Sequence, residues 1–285
     1  MSVLAEKAPA KINLTLRVVG RRADGYHELE SLVAFADLAD TLTLQPGPKV
    51  TLDMSGPFAA ACGSAAGNLV LKAVAALGER IGPIQSGHFA LEKNIPVAAG
   101  LGGGSADAAA ALRLLARAND LAPDDARLAA AARALGADVP VCLDPRPRVM
   151  RGIGEVLSAP LALPRLDALL VNPGVPLPTR DVFARFAGRG RGKGSRGQVA
   201  GDRKALIAFM ATQDNDLTPA AVACAPVVAV VLAALRALPG VLLARMAGSG
   251  PTCFAIFASH NEAAVAARAI EAGHSNWWVR NATIG

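Results

Sequence analysis

The chain has 285 residues, of which 52% are apolar and 18% are charged. This composition provides a hydrophobic core for one large domain or two ordinary ones, and it argues against a disordered chain. The formal net charge of +6 favours anionic partners such as phosphates, nucleotides, nucleic acid or membrane surfaces, without choosing among them. Much of the excess positive charge lies in the Gly/Arg stretch GRGRGKGSR at residues 188–196.

The cysteines and the apolar segments indicate the compartment. The four cysteines are far apart and include no CxxC pair, which argues against a disulfide framework or a zinc site. The N-terminal sequence MSVLAEKAPAK lacks the layout of a signal peptide. The longest apolar run, residues 225–235, is too short to cross a bilayer. We therefore expect a soluble cytoplasmic protein with reduced thiols.

Strands dominate the first hundred residues. Apolar residues alternate with polar ones between residues 11 and 18, which predicts a strand with one buried face. A turn is predicted at residues 21–25, and helical spacing predicts a helix over residues 68–80. Further strands are predicted at residues 38–44, 50–54 and 89–92.

Helices follow. Residues 105–119 predict a helix with Ser105 as its N-cap and with Asp107 favourable to the positive end of its dipole. A second helix is predicted over residues 124–135 and is stopped by Gly136. The N-terminal half therefore contains strands first and helices second.

The C-terminal half begins after a candidate boundary marked by Pro160 and Pro164. The basic stretch, residues 188–201, is predicted to be a mobile loop. The whole order indicates an α+β fold with two domains, residues 1–159 and 160–285. The other predicted elements of this half are two helices, a hairpin and a last strand, at residues 227–238, 261–272, 241–257 and 277–284.

A glycine-rich segment, residues 96–107, is the strongest candidate for chemistry. Four glycines in five residues precede the predicted helix, so backbone N–H groups and the helix N-terminus can converge on an anion such as a polyphosphate. The Walker A, Rossmann and GxSxG patterns do not fit, because no Lys follows the glycines and Ser105 occupies the last glycine position. A flexible turn before a helix is the alternative.

Four smaller groups also bear on chemistry, each with a structural alternative. Lys11 and Asn13 share one polar strand face, suited to phosphoryl charge and a substrate hydroxyl, or simply to solvent. Tyr26 and His27 offer a stacking surface and hydrogen-bonding groups, or are a partly buried Tyr beside a surface His. Asp138 can accept a hydroxyl proton, or is a local turn or cap residue.

The small-residue segment at residues 247–253, AGSGPTC, is a hairpin turn when taken by itself. It can equally bring small residues close to a substrate phosphate.

Taken in order, these segments resemble the GHMP kinase superfamily, and the match spans nearly the whole chain. The resemblance implies a ribosomal-protein-S5-like N-terminal domain, a ferredoxin-like C-terminal domain, and ATP as phosphoryl donor with Mg²⁺ entering with it. Gly67 and Ala106 depart from the family pattern. The matching segments are PAKINLTL, RADGYHEL, GLGGGSADAA, GADVP, PTRDVF and GSGPTCF, which begin at residues 9, 22, 100, 136, 178 and 248.

Within this family, the GYHxL segment resembles the branch that phosphorylates the 2-hydroxyl of a cytidine diphosphate-linked methylerythritol in the non-mevalonate isoprenoid pathway. The resemblance implies a small-molecule substrate, products ADP and the 2-phosphate, no nucleic-acid or membrane partner, and a monomer or homodimer. Two rival hypotheses stay open. One is another GHMP kinase of the mevalonate or homoserine type, and the other is a nucleic-acid-binding protein that uses the basic stretch.

The resemblance also implies roles for matching residues, with no residue dedicated to a metal. Lys11 and Asp138 form the catalytic pair, with Asp138 taking or orienting the hydroxyl proton and Lys11 supporting the charge. Tyr26 and Phe183 sandwich the cytosine ring, and His27 bonds its edge. The full substrate-binding set is Asn13, Tyr26, His27, Thr179, Phe183, Gly248 and Ser249. The ATP-binding set is Asn68, Pro96, Val97, Ala98, Ala99, Gly100, Leu101, Gly102, Gly103, Gly104, Ser105 and Ala106.

Overall fold

The structure is a computed structural model that describes residues 2–188 and 201–285. The mobile loop predicted for residues 188–201 lies almost entirely outside these residues. The elements in the first part of the chain are β1 (Leu4–Asn13), β2 (Arg17–Arg21), β3 (His27–Pro46), β4 (Thr51–Ser55), α1 (Leu69–Ile81), β5 (Gly87–Glu92), α2 (Gly103–Ala118), α3 (Ala126–Leu135), α4 (Val139–Leu143), β6 (Arg148–Gly152) and β7 (Val156–Leu157).

The second part of the chain completes the mixed helix and strand content and confirms the predicted α+β class. Two short 3₁₀ turns, Ala59–Cys62 and Ala65–Gly67, precede α1. The remaining elements are β8 (Leu166–Asn172), α5 (Thr179–Arg185), α6 (Arg203–Ala211), α7 (Thr218–Cys224), α8 (Val227–Arg236), β9 (Leu243–Met246), β10 (Cys253–Phe257), α9 (His260–Gly273) and β11 (Trp278–Ile284).

The chain divides into two compact units that are discontinuous in sequence. Unit 1 contains residues 1–11, 38–97 and 102–145, and unit 2 contains residues 12–37, 98–101 and 146–285. The division is discontinuous because β1 and β3 each contribute residues to both units. The predicted boundary between the two domains, after residue 159, differs from the boundaries of these units and stays a prediction.

Unit 1 combines a small sheet with four helices. The end of β3 pairs antiparallel with β5, with Thr41 opposite Glu92, and β5 pairs parallel with β4. Helices α1, α3 and α4 pack against α2. The middle of α2 is a run of alanines, residues 108–111, all fully buried, and these small side chains permit close helix packing.

Unit 2 is built on an antiparallel sheet in the order β11–β8–β10–β9. Every residue of β8 is buried apart from Asp167, which is half-buried, and every residue of β10 is buried. Both strands are therefore covered on both faces. Helices α8 and α9 pack against this sheet. The core centres on large apolar side chains such as Phe257, Leu235 and Val171.

Several predicted element ends are confirmed and two are wrong. Helix α1 begins after Asn68, whose side chain accepts a hydrogen bond from Val70 N, and α3 ends at Gly136. Ser105 is not the N-cap of α2, because the helix begins earlier, after Gly102. The strand predicted over residues 11–18 is interrupted after Asn13, where the N–H groups of the next two residues both donate to the carbonyl of Leu32.

No helix among residues 2–188 and 201–285 combines the length and the apolar character needed to cross a membrane.

Candidate active site

An ion pair joins two residues that the sequence places 127 positions apart. Lys11 Nζ lies 3.0 Å from Asp138 Oδ2. Lys11 is only 3% exposed, so the predicted solvated strand face is wrong for this residue. Asp138 precedes α4 but its side chain makes no capping hydrogen bond, and 36% of that side chain is exposed. The pair therefore presents a carboxylate to solvent, held in place by a buried ammonium group.

The second half of the glycine-rich segment lies against Lys11. Gly102 has φ of 65°, in the left-handed region, and a Cβ there would lie 3.2 Å from Lys11 Cε. Helix α2 begins at the next residue, so its free N–H groups start beside the lysine. Ser105 lies in the first turn of the helix, and Ala106 is buried. This arrangement suits an anion, because the helix N-terminus and the lysine both attract negative charge.

The first half of the glycine-rich segment, residues 98–101, packs within unit 2 against the turn that links β9 and β10. A Cβ on Gly248 would lie 2.6 Å from the carbonyl oxygen of Gly100, so only glycine fits this close approach. Thr252 N also donates to Ala99 O. The predicted hairpin is confirmed, since Met246 pairs antiparallel with Cys253 across the turn.

Asn215 supports that turn and was missed by sequence reasoning. Its Nδ2 donates to Gly248 O at 2.7 Å and to Met246 O at 2.9 Å, and its Oδ1 accepts from Leu217 N. The residue is 4% exposed. A single asparagine in a polar stretch gives no local signal for a partner about 30 residues away, so only the fold shows this role.

Replacing Asn215 with Ala should lower the free energy of unfolding by about 1–3 kcal/mol, because two buried carbonyl groups lose their donor. Urea unfolding checks this value. Asn276→Ala is the matched control, since Asn276 is exposed and its loss should change the midpoint little. Equal midpoints for both variants would contradict the supporting role.

Two predicted substrate residues meet through their hydroxyl groups. Thr179 Oγ1 and Ser249 Oγ lie 2.9 Å apart, at the start of α5 and in the turn after β9. Ser249 is 6% exposed. One hydroxyl can donate its hydrogen to the oxygen of the other, and the hydrogen of the second hydroxyl is then free to donate to a polar ligand.

An aromatic cluster forms around His27. Its ring stacks on Phe183, with centroids 5.3 Å apart and planes at 26°, and meets Phe186 edge-on at 5.6 Å. Burial, followed by the charge of Arg21, lowers the pKa of His27 below its usual value. The imidazole is therefore neutral at pH 7, with one donor and one acceptor nitrogen.

Tyr26, next to this cluster in sequence, is 62% exposed, so the alternative of a partly buried tyrosine is wrong. Sequence reasoning missed Phe186. The sequence does contain a sign of its role. Phe186 follows Phe183 by three residues near the end of α5, a spacing typical of side chains on one helix face.

The two predicted asparagine ligands have structural contacts. Asn13 Nδ2 donates to Ser31 Oγ at 2.7 Å, and Asn13 is 2% exposed. Asn68 caps α1 and its Nδ2 approaches Met54 Sδ at 3.5 Å. Both amide groups are held in fixed orientations, which suits residues that direct a hydrogen bond at a ligand.

Among the residues that the structure describes, no group of three or more His, Cys, Asp or Glu side chains is arranged to hold a metal ion.

Comparisons with known proteins agree with this geometry. Residues 68–144 match the family described as GHMP kinases N terminal domain, and residues 198–276 match GHMP kinases C terminal. A 4-diphosphocytidyl-2-C-methyl-D-erythritol kinase of Rhodopseudomonas palustris strain CGA009 is 57% identical and covers 97% of this chain and 95% of its own length. A relative with the same name from Nitrobacter hamburgensis is 53% identical, with coverage of 99% and 95%.

Solved structures give the same result for the fold. The crystal structure of a 4-(cytidine 5'-diphospho)-2C-methyl-D-erythritol kinase is similar with a TM-score of 0.76 and 36% identity, covering 99% of each chain. A homoserine kinase from Cytophaga hutchinsonii has a TM-score of 0.70 at 21% identity, over 99% of this chain and 94% of its own, and supports the fold alone. The predicted two-domain fold is thereby confirmed.

Proposed function

This chain belongs to the GHMP kinases, and from that premise we propose that it transfers the γ-phosphoryl group of ATP to the 2-hydroxyl of 4-diphosphocytidyl-2-C-methyl-D-erythritol. The products are ADP and the 2-phosphate, within isoprenoid biosynthesis. The observation that carries the proposal is the Lys11–Asp138 ion pair beside the N-terminus of α2. The names of relatives that are 52–57% identical supply the substrate.

The proposed chemistry uses the charges of unit 1. Asp138 accepts the proton of the attacking hydroxyl or orients that hydroxyl, because its carboxylate is partly exposed and makes no helix-capping hydrogen bond. Lys11 holds the carboxylate and stabilises the negative charge that develops on the transferred group. The N–H groups at the start of α2 and the preceding glycines hold the phosphates.

ATP, when bound, supplies the phosphoryl group, and we propose that Mg²⁺ enters with it. Mg²⁺ keeps several of its waters and binds readily through nucleotide phosphates. We also propose a cytoplasmic location, where ATP is available and where the four free cysteines stay reduced. A monomer or a homodimer satisfies the proposal equally.

The residues of unit 2 fit a cytidine-bearing acceptor. Phe183 and Tyr26 provide aromatic faces, and a base stacked on such a side chain gains about 1–3 kcal/mol. A neutral His27 has the donor and the acceptor that a pyrimidine edge requires. The Thr179–Ser249 hydroxyl pair and the amide of Asn13 are the proposed polar contacts to the rest of the acceptor.

An ADP-release assay tests the function directly. The purified chain is given MgATP with 4-diphosphocytidyl-2-C-methyl-D-erythritol, mevalonate or homoserine as separate acceptors. We expect rapid ADP release only with the cytidine-bearing acceptor, and a 2-phosphate product by ³¹P NMR. Turnover of mevalonate or homoserine in its place would favour a different GHMP kinase.

Tyr26→Ala should abolish the rise in melting temperature that a cytidine nucleotide gives the wild-type chain, because one stacking face is lost. Tyr26→Phe is the matched control, since it keeps the ring and removes only the hydroxyl. Thermal denaturation with and without cytidine diphosphate measures both. An unchanged shift in Tyr26→Ala would show that this ring does not bind the base.

A further inference from the structure

A buried ionic cluster lies inside unit 1, next to the first turn of α2. Lys93, just after β5, donates to a carboxylate oxygen of Asp40 in β3 and to Asp107 Oδ2 in α2, the latter at 2.8 Å. None of the three residues is more than 3% exposed. Two carboxylates thus share one ammonium group away from water, an arrangement that costs free energy unless each group is well bonded.

The cluster also binds the backbone that leads into the glycine-rich segment. Asp40 Oδ1 accepts hydrogen bonds from the N–H groups of Asn94 and Ile95, at 2.5 and 2.8 Å. These residues immediately precede Pro96, where the segment begins. A Cβ on Gly103, the first residue of α2, would lie 3.0 Å from Lys93 Nζ. The cluster therefore contacts the residues just before the glycine-rich segment through Asp40, and the start of α2 through Lys93.

One atom of the cluster is incompletely bonded. Asp107 Oδ1 is buried and accepts no hydrogen bond among the described residues. Burial raises the pKa of Asp107 to about 7, against the opposing effect of Lys93, and Asp40 raises it further. Burial acts to lower the pKa of Lys93, yet the two carboxylates raise it above its usual value. Near pH 7 the lysine therefore stays charged while Asp107 exchanges a proton.

Two cysteine thiols also lie near Asp107. The Cys62 thiol in the first 3₁₀ turn has its pKa raised, chiefly by burial. Burial raises the pKa of Cys142 in α4 to about 12, with smaller effects of Asp138 and Lys11. The thiols thus stay neutral near pH 7, and the change of charge in this region falls on the cluster.

We propose that Asp40, Lys93 and Asp107 form a positioning element for the phosphate-binding segment, and that the charge of Asp107 sets the affinity for ATP. This inference rests on the proposed use of ATP. Lys93 ties β3, the end of β5 and the start of α2 together, so the N–H groups of the segment keep one arrangement. Ionised Asp107 gives the cluster a net charge of −1 close to the bound phosphates, and protonated Asp107 gives it none.

The direction of the pH effect follows from these charges. As pH rises through about 7, Asp107 loses its proton and repels the nucleotide phosphates, so KM for MgATP should rise. Two unit charges about 10 Å apart in a medium of effective dielectric constant about 20 predict an effect of up to about fifteenfold. KM for the acceptor, which also carries an anionic diphosphate, is measured over the same pH range as a comparison.

Asp107→Asn tests the charge. It keeps an oxygen for Lys93 but cannot titrate, so KM for MgATP should become flat between pH 6 and 8, while the wild type changes about fivefold. Saturating Mg²⁺ keeps the nucleotide in one ionic form in the assays of both proteins. An identical pH profile in variant and wild type would overturn the role of Asp107. Complete absence of ATP turnover in the wild type would instead reject the proposed function.

Lys93→Met tests the positioning. Its KM for MgATP should rise at least about tenfold while KM for the acceptor changes less than twofold, and Lys93→Arg should recover part of the loss. Lys72→Met is the matched control, because Lys72 is an exposed lysine on α1. A folded Lys93→Met chain with unchanged KM for MgATP would overturn the proposal. If Lys93→Met does not fold, the Asp107→Asn profile decides.

Discussion

Replacing Asp138 with Asn will lower kcat by about a thousandfold, within the range of losses when a positioned general base is removed. The amide keeps the shape of the side chain but cannot take a proton from the acceptor hydroxyl. MgATP affinity should change less than threefold, because the N–H groups at the start of α2, which are proposed to bind the phosphates, are unaltered. Steady-state ADP release gives kcat, and calorimetry with a non-hydrolysable ATP analogue gives the affinity.

The control for this prediction is Asp53→Asn. Its side chain is 83% exposed and lies 3.8 Å from the His88 ring, so its loss should leave turnover unchanged. Near-normal kcat in Asp138→Asn would reject the base and would leave Lys11 and the helix N-terminus as the main catalytic groups. A large loss of nucleotide affinity in this variant would show that Asp138 serves binding in place of proton transfer.

Local patterns in the sequence predict the parts of the fold that local chemistry determines. Asparagine is a favoured N-cap residue, and the apolar residues after Asn68 recur at helical spacing. Asn68 accordingly caps α1. Gly136 ends α3, and the small-residue turn after Met246 joins two antiparallel strands. The Lys11–Asp138 pair came from the family resemblance, because no local pattern joins residues so far apart.

The spacing of apolar residues does not predict elements that are buried on both faces. Strand β8 is a nearly continuous apolar run, so it carries neither the period of two of a half-exposed strand nor the length of a helix. Strand β3 spans 20 residues and changes from one unit to the other, and only its last third was predicted. The N-cap of α2 was misplaced because Gly102 adopts a left-handed conformation, which left the sequence preference of Ser105 without effect.

The sequence does not predict the ionic cluster beside the glycine-rich segment, for another reason. Asp40 and Lys93 are 53 residues apart, and each looks like an ordinary surface charge in sequence. Only their common burial shows that they belong together. The sequence predicts that Asp107 favours the helix dipole, and the structure shows that its carboxylate accepts a hydrogen bond from Lys93.

Lys11→Met should lower kcat by about a hundred- to a thousandfold, because the developing charge on the phosphoryl group loses its closest buried cation. The variant removes a charge that is 3% exposed and leaves Asp138 partly open to water, so the fold should survive. Lys7→Met is the matched control, since Lys7 is an exposed lysine on the same strand. Circular dichroism verifies folding, and ADP release gives kcat.

The double variant Lys11→Met with Asp138→Asn decides whether the two residues act as one unit. Members of a catalytic unit lose function non-additively, so the double variant should be less than about tenfold slower than Asp138→Asn alone. If the two losses multiply in full, each residue acts independently. The proposal that Lys11 and Asp138 form one catalytic pair would then be wrong.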